Sequence, residues 1–195
     1  MKPLLFAKSL AVSMLAMASA GLADTEQYLL ASKWSQIVFS YDHLGFSRTT
    51  GMLSGIEGEI LFDADHPEKS NVSVTVPVSS LHTGLPQRDT NFIAGGDFFS
   101  EADVSLVSFT STHIEVTGEV SASITGNLTL NGITKPVTLD AELNKIGFHN
   151  KEQKDWLGFD ATASLLRSEF GLGKYAPGVS DEVNVYISIE AMKSE

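Results

Sequence analysis

The chain has 195 residues, with 13 Lys and Arg against 24 Asp and Glu and no cysteine. That length suits one domain with a sizeable core. The formal net charge of −11 argues against nucleic acid or an anionic lipid surface as a partner. The missing cysteines exclude disulfides, thiol catalysis and cysteine metal sites.

Residues 1–20 read as a signal peptide. Lys2 and Lys8 supply the positive n-region, Leu10 to Met17 a short apolar stretch, and Ala18-Ser19-Ala20 a small-residue cleavage signal. Cleavage is expected after Ala20, with a second candidate after Ala23. The apolar stretch falls short of the roughly 20 residues a membrane span needs. Removing this leader takes away two lysines and no acid, which leaves −13 on residues 21–195. A periplasmic destination is the expectation.

Almost everything from Glu26 onward alternates apolar and polar with period two, which predicts strands. Glu26 to Leu30 is a short extended lead-in. In Ser35 to His43 the residues Ile37, Phe39, Tyr41 and His43 share a face. Thr50 to Phe62 reads as one strand, with Met52, Ile56, Ile60 and Phe62 on one side and glycines suggesting bulges. Val72, Val74, Val76 and Val78 alternate cleanly with polar residues.

Leu81 to Phe99 breaks the pattern. Gly84 and Pro86 end a strand, Asp89 or Thr90 is placed to cap a short helix, and Gly95-Gly96 stops it. Phe92, Ile93, Phe98 and Phe99 put four large apolar side chains on this element. Leaving them in water forfeits roughly 1.5–3 kcal/mol each, so it is expected to close one end of the strand structure.

Val107 to Val116 is a strand whose facing is muddled around Ser111 to His113. Ser121 to Leu130 points Ile124, Leu128 and Leu130 inward. Asn131-Gly132 is the strongest hairpin signal in the chain. Pro136 to Asn144, Leu157 to Arg167 and Glu182 to Ala191 complete about eight strands, which predicts an all-β fold, either a sandwich or a closed antiparallel barrel. Ala122, Gly126, Ala141, Ala161 and Ala163 are small at positions where a packed core wants Leu or Ile. Periodicity leaves two readings open: a cavity with a guest, or a core filled by Phe39, Phe92, Phe98, Phe99 and Phe159.

Six ordered stretches resemble the YceI-like family of exported lipocalin-like proteins. They are Phe39 to Gly45, Gly55 to Asp63, the set Thr83-Gly84, Arg88-Asp89 and Asp97-Phe98-Phe99, then Ser108 to Thr112, Gly126 to Val137, and Arg167 to Leu172. The likeness spans about Tyr28 to Met192. Trp34-Ser35 stands where the family often has His-Ser, and Val104-Ser105 where it often has Tyr-Pro.

The resemblance implies an extended antiparallel β-barrel with a short helical insertion closing one end. It also implies a cavity for a long apolar ligand: a polyisoprenoid, an isoprenoid quinone or a related lipid. The expected lining is Phe39, Tyr41, Phe92, Phe98, Phe99, Ile124, Leu128, Phe159, Ala161 and Ala163, with His43 and Arg88 added as ligand-binding residues that a head group would face. Arg88 would meet a head group, or else fix the helix by an ion pair or cap. Arg167 points inward and needs a partner, with Asp89, Asp97 and Glu169 as candidates.

The expected function is that of a binding and carrier protein rather than an enzyme, with no cofactor beyond a bound isoprenoid lipid or quinone. Transient contact with a membrane or a membrane protein, and self-association into a dimer, are compatible with that role. A competing reading makes His43, with Asp42 or Arg167, the acid–base group of an enzyme acting on such a lipid. A third is a stress or interaction protein with a filled core. The five histidines are scattered, without metal-ligand spacing.

Overall fold

The computed structural model describes residues 25–93, 99 and 105–195. The proposed leader, Asp97 and Phe98 lie outside the described residues. Among the described residues, ten strands form one antiparallel sheet: β1 (Glu26–Leu30), β2 (Gln36–His43), β3 (Ser47–Leu53), β4 (Glu57–Phe62), β5 (Asn71–Pro77), β6 (Leu106–Val116), β7 (Ser121–Leu130), β8 (Ile133–His149), β9 (Lys154–Leu166) and β10 (Glu182–Lys193). The helix α1 covers Pro86–Ile93. It starts on Pro86, whose fixed φ suits a first helical position, and not at Asp89 or Thr90.

Strands β1 and β4 through β10 form a closed ring of eight, because β1 pairs with both β4 and β10. β10 offers one edge to two partners. Its residues 191–193 pair with β1, and its residues 184–188 pair with β2. The β2–β3 hairpin therefore continues the wall above β1 and β4. The expected single strand Thr50 to Phe62 is two strands, since the chain leaves the ladder at residues 54–56 with Gly55 at φ +70°. That break shifts the phase. Gly51 and Leu53 pair with Phe39 and Ile37 on the inner face, and Met52 pairs with Val38 on the outer one.

Local chemistry explains the other joints. Asn131 and Gly132 both have positive φ, which the twist of a two-residue hairpin requires. The muddled facing of residues 111–113 is a register shift in the β6–β7 ladder, where one extra residue flips the alternation.

The interior is packed at two places. Tyr28, Ile60, Phe62, Leu157 and Ala191 form one cluster toward the end away from α1. Phe109, Leu128, Phe170 and Leu172 form another toward the α1 end.

Candidate functional site: an apolar cavity inside the barrel

Between and around these clusters lies a cavity of about 350 Å³, within the roughly 300–1,000 Å³ usual for small-molecule sites. Period-two alternation builds its wall. Val72, Val74 and Val76 come from β5, Val137, Leu139, Ala141 and Leu143 from β8, and Val183, Val185, Ile187 and Ile189 from β10. Many of these are only half-buried, so their inward surface is not covered by other side chains.

The small residues fall in register. Ala122 pairs with Ala141, Ala141 with Ala161, and Ala161 with Ile187. Three alanines thus stand side by side on β7, β8 and β9. They widen the barrel along a belt that larger residues would have filled.

The α1 end is built from side chains off the ladder. Phe92 reaches the cavity from α1, its ring centroid 6.3 Å from that of Tyr41. The backbone N–H of Phe99 donates to the Phe92 carbonyl at 3.3 Å. Asp89 secures the helix. It accepts from the Thr83 N–H at 2.7 Å and the Thr83 hydroxyl at 2.6 Å, and it meets His82 Nδ1 at 2.9 Å. Thr83 foremost, with His82 adding to it, holds the Asp89 carboxyl below its ordinary pKa.

Arg167 is the one cation lining the cavity among the described residues. It is buried, and Asp97, one of its candidate partners, lies outside the described residues. Its guanidinium donates to the carbonyls of Ser180, Lys174 and Val179, each at 2.8 Å, and to that of Leu172. A planar fork of five donors suits such a cluster of carbonyls. Burial lowers its pKa, and the neighbouring Asp181 acts against that. Arg167 thus ties residues 172–180 into a cap over this end.

Nine of the expected lining residues surround the cavity: Phe39, Tyr41, Phe92, Phe99, Ile124, Leu128, Phe159, Ala161 and Ala163. Phe98 lies outside the described residues. His43 and Arg88 do not line it. His43 shares the inward phase of β2 and ends the strand against Val179, which does line the cavity. There it is exposed and bridges the backbone of Val179. Arg88 lies one helical turn before Phe92 and does not reach the wall.

Leu172 and Val179 also line the site. They come from an irregular segment that periodicity cannot read, although the motif Arg167 to Leu172 pointed to it. Asp42, His43 and Arg167, the residues considered for chemistry, all meet residues 179–180: His43 bridges Val179, Asp42 exchanges bonds with Ser180, and Arg167 donates to both carbonyls. The Asp42 carboxylate accepts the Gly45 N–H at 2.7 Å, and the Arg167 donors go to carbonyls.

The YceI-like domain model matches residues 28–191. A UPF0312 protein of Ectopseudomonas mendocina is 36% identical over 159 residues, covering 80% of each chain. Another from Pectobacterium carotovorum is 33% identical over 186 residues, covering 95% of each. Among solved structures, the YceI protein of Campylobacter jejuni superposes with a TM-score of 0.71 at 28% identity, over 79% of this chain and 90% of that one. A polyisoprenoid-binding domain from Saccharophagus degradans gives 0.63 at 12% identity, over 86% and 98%, which is a likeness of fold. With the match running through nearly every strand of the barrel, the chain belongs to the YceI-like family.

Proposed function

We propose that this protein binds a long, uncharged apolar molecule, a polyisoprenoid, isoprenoid quinone or related lipid, and carries it in the periplasm. The observation that carries this reading is the belt of small and half-buried apolar residues around an interior of about 350 Å³. Kept dry and empty, a cavity of that size costs on the order of 8 kcal/mol at roughly 24 cal/mol per Å³. That is comparable with the whole stability of a domain. A guest offsets it.

The lining chemistry supports the choice of guest. Each five-carbon isoprene unit buried contributes about 4 kcal/mol at roughly 0.8 kcal/mol per carbon. Much of that goes into ordering a flexible chain, so length and shape select more than any one contact. The lining cation, Arg167, already serves four carbonyls. A buried anion without a partner is heavily penalised, and this favours an uncharged ligand. The fold likeness to the polyisoprenoid-binding domain agrees with this reading, and the leader-like residues 1–20 agree with the compartment.

The test is gentle organic extraction of protein purified from its own periplasm, followed by mass spectrometry. A stoichiometric isoprenoid or quinone is expected. Protein recovered there without any apolar guest would move the function to a filled or transiently occupied interior.

A further inference from the structure

The two ends of the cavity differ. At the α1 end the described lining residues are covered: Arg167 and Leu172 are buried, and Tyr41, Phe92, Phe99 and Val179 are half-buried. At the opposite end the cavity reaches the turn between β6 and β7. Its lining residues Val116 and Val120 are 46% and 47% exposed there, and Gly118 and Glu119 are exposed as well.

The β8–β9 hairpin overhangs this rim. β7 begins at Ser121, opposite Glu142, while β8 runs on to His149 and stays paired with β9. Leu143 lines the cavity opposite Phe159. Past the register shift between Leu143 and Lys145, Ile146 stands opposite Leu157 and Phe148 opposite Asp155. Directly paired residues share a face of the sheet. Leu157 faces inward, fully buried with Tyr28 and Phe62. Ile146 and Phe148 therefore continue the inner face of the wall beyond the rim, and they are 46% and 54% exposed. A single exposed apolar residue needs no explanation. A strip that starts inside a cavity and runs out along the same face does.

We propose that this end is the portal: the apolar chain enters and leaves between the β6–β7 turn and the overhanging hairpin, and Ile146 and Phe148 support the length still outside. The occupant is the ligand itself and not a second protein, because the strip is continuous with the cavity. Glu119 at the lip gives an anionic head group no attraction. This proposal rests on the lipid-binding reading above.

The chain has no cysteine, so a single thiol can be placed at will. Val120→Cys at the proposed portal and Phe46→Cys, at a tip of the α1 end that is 89% exposed, are each labelled with a bulky uncharged polyethylene glycol maleimide. Uptake of the neutral dye N-phenyl-1-naphthylamine is followed by stopped-flow fluorescence. Loss of the signal in Ala163→Phe identifies it with the cavity. The label at 120 is expected to slow uptake at least tenfold, and the label at 46 to leave it within twofold. The double variant Ile146→Ser, Phe148→Ser is expected to slow uptake severalfold with Tm unchanged. Cavity uptake indifferent to the 120 label, or slowed by the 46 label instead, overturns the portal alone. Absence of cavity uptake by unlabelled protein overturns the lipid-binding reading and the portal with it.

Discussion

Phe39 stands directly across the β2–β3 ladder from Gly51, and its ring fills the space that a side chain at 51 would occupy. The glycine is thus a packing partner, and the ring is held flat against the wall. Gly51→Val would drive the ring off this seat into the cavity. A destabilisation of about 1–3 kcal/mol is expected, typical of overpacking, together with weaker ligand retention. Urea unfolding and ligand extraction on the same preparation check both. Unchanged stability would show that the ring has room to swing.

Ala163 pairs with Val185 and points into the cavity beside Ala161. Ala163→Phe places a ring where the guest would run. Ligand retention is expected to disappear while the far-ultraviolet circular dichroism spectrum and cooperative melting remain. Undiminished retention would remove this part of the wall from the binding site.

Binding should discriminate by charge. Hexadecanol and hexadecyl phosphate share a chain and differ at the head. With Arg167 engaged by four carbonyls and Glu119 at the lip, the alcohol is expected to displace a neutral cavity dye at a concentration at least tenfold lower than the phosphate. Equal potency would mean that the anionic head stays in water or finds a cation outside the wall described above.

Asp181 accepts from the Ser168 N–H at 2.8 Å and from its hydroxyl at 2.6 Å. The Ser168 hydroxyl foremost, then its N–H and the nearby Arg167, hold the Asp181 carboxyl below its ordinary pKa. A carboxylate depressed on folding stabilises the protein above its unfolded pKa, roughly 3.9. That contribution fades as pH falls through the lower folded value. Asp181→Asn is therefore expected to destabilise by a constant amount between pH 7 and pH 5, with the gap to the parent narrowing below about pH 4. Chemical denaturation across that range reads the sign, and a gap that widens on acidification would contradict it.

The alternation along β5, β8 and β10 was enough to assign their inward faces, because each runs several residues without a break. The Asn131-Gly132 turn was equally legible, since few residues tolerate that backbone. What periodicity misread depends on where the chain leaves the ladder. Met52 sat in the expected phase only if residues 54–56 continued the strand, and they do not. His43 follows the phase of Tyr41 and stands against the lining residue Val179 without lining the cavity itself. Of the carboxylates expected beside Arg167, Asp97 lies outside the described residues. The acceptors described for its guanidinium are main-chain carbonyls of residues 172–180, groups every residue carries and no composition reveals. The alanine belt emerges from register across three strands, which one-dimensional spacing does not contain.

The ring closes where Tyr28, Leu29 and Leu30 meet Lys193, Met192 and Ala191. Three rungs between the first and last strands complete a wall whose other joints are made by strands closer along the chain. As the chain folds, the seven other joints of the ring can form while this eighth one is still absent. Non-local pairing of this kind forms late, because the loop entropy comes before the reward. Until residues 191–193 pair with β1, the sheet carries unpaired edges and an open apolar interior, the state most prone to aggregation. Premature termination before Ala191 would leave an open sheet, unable to enclose anything.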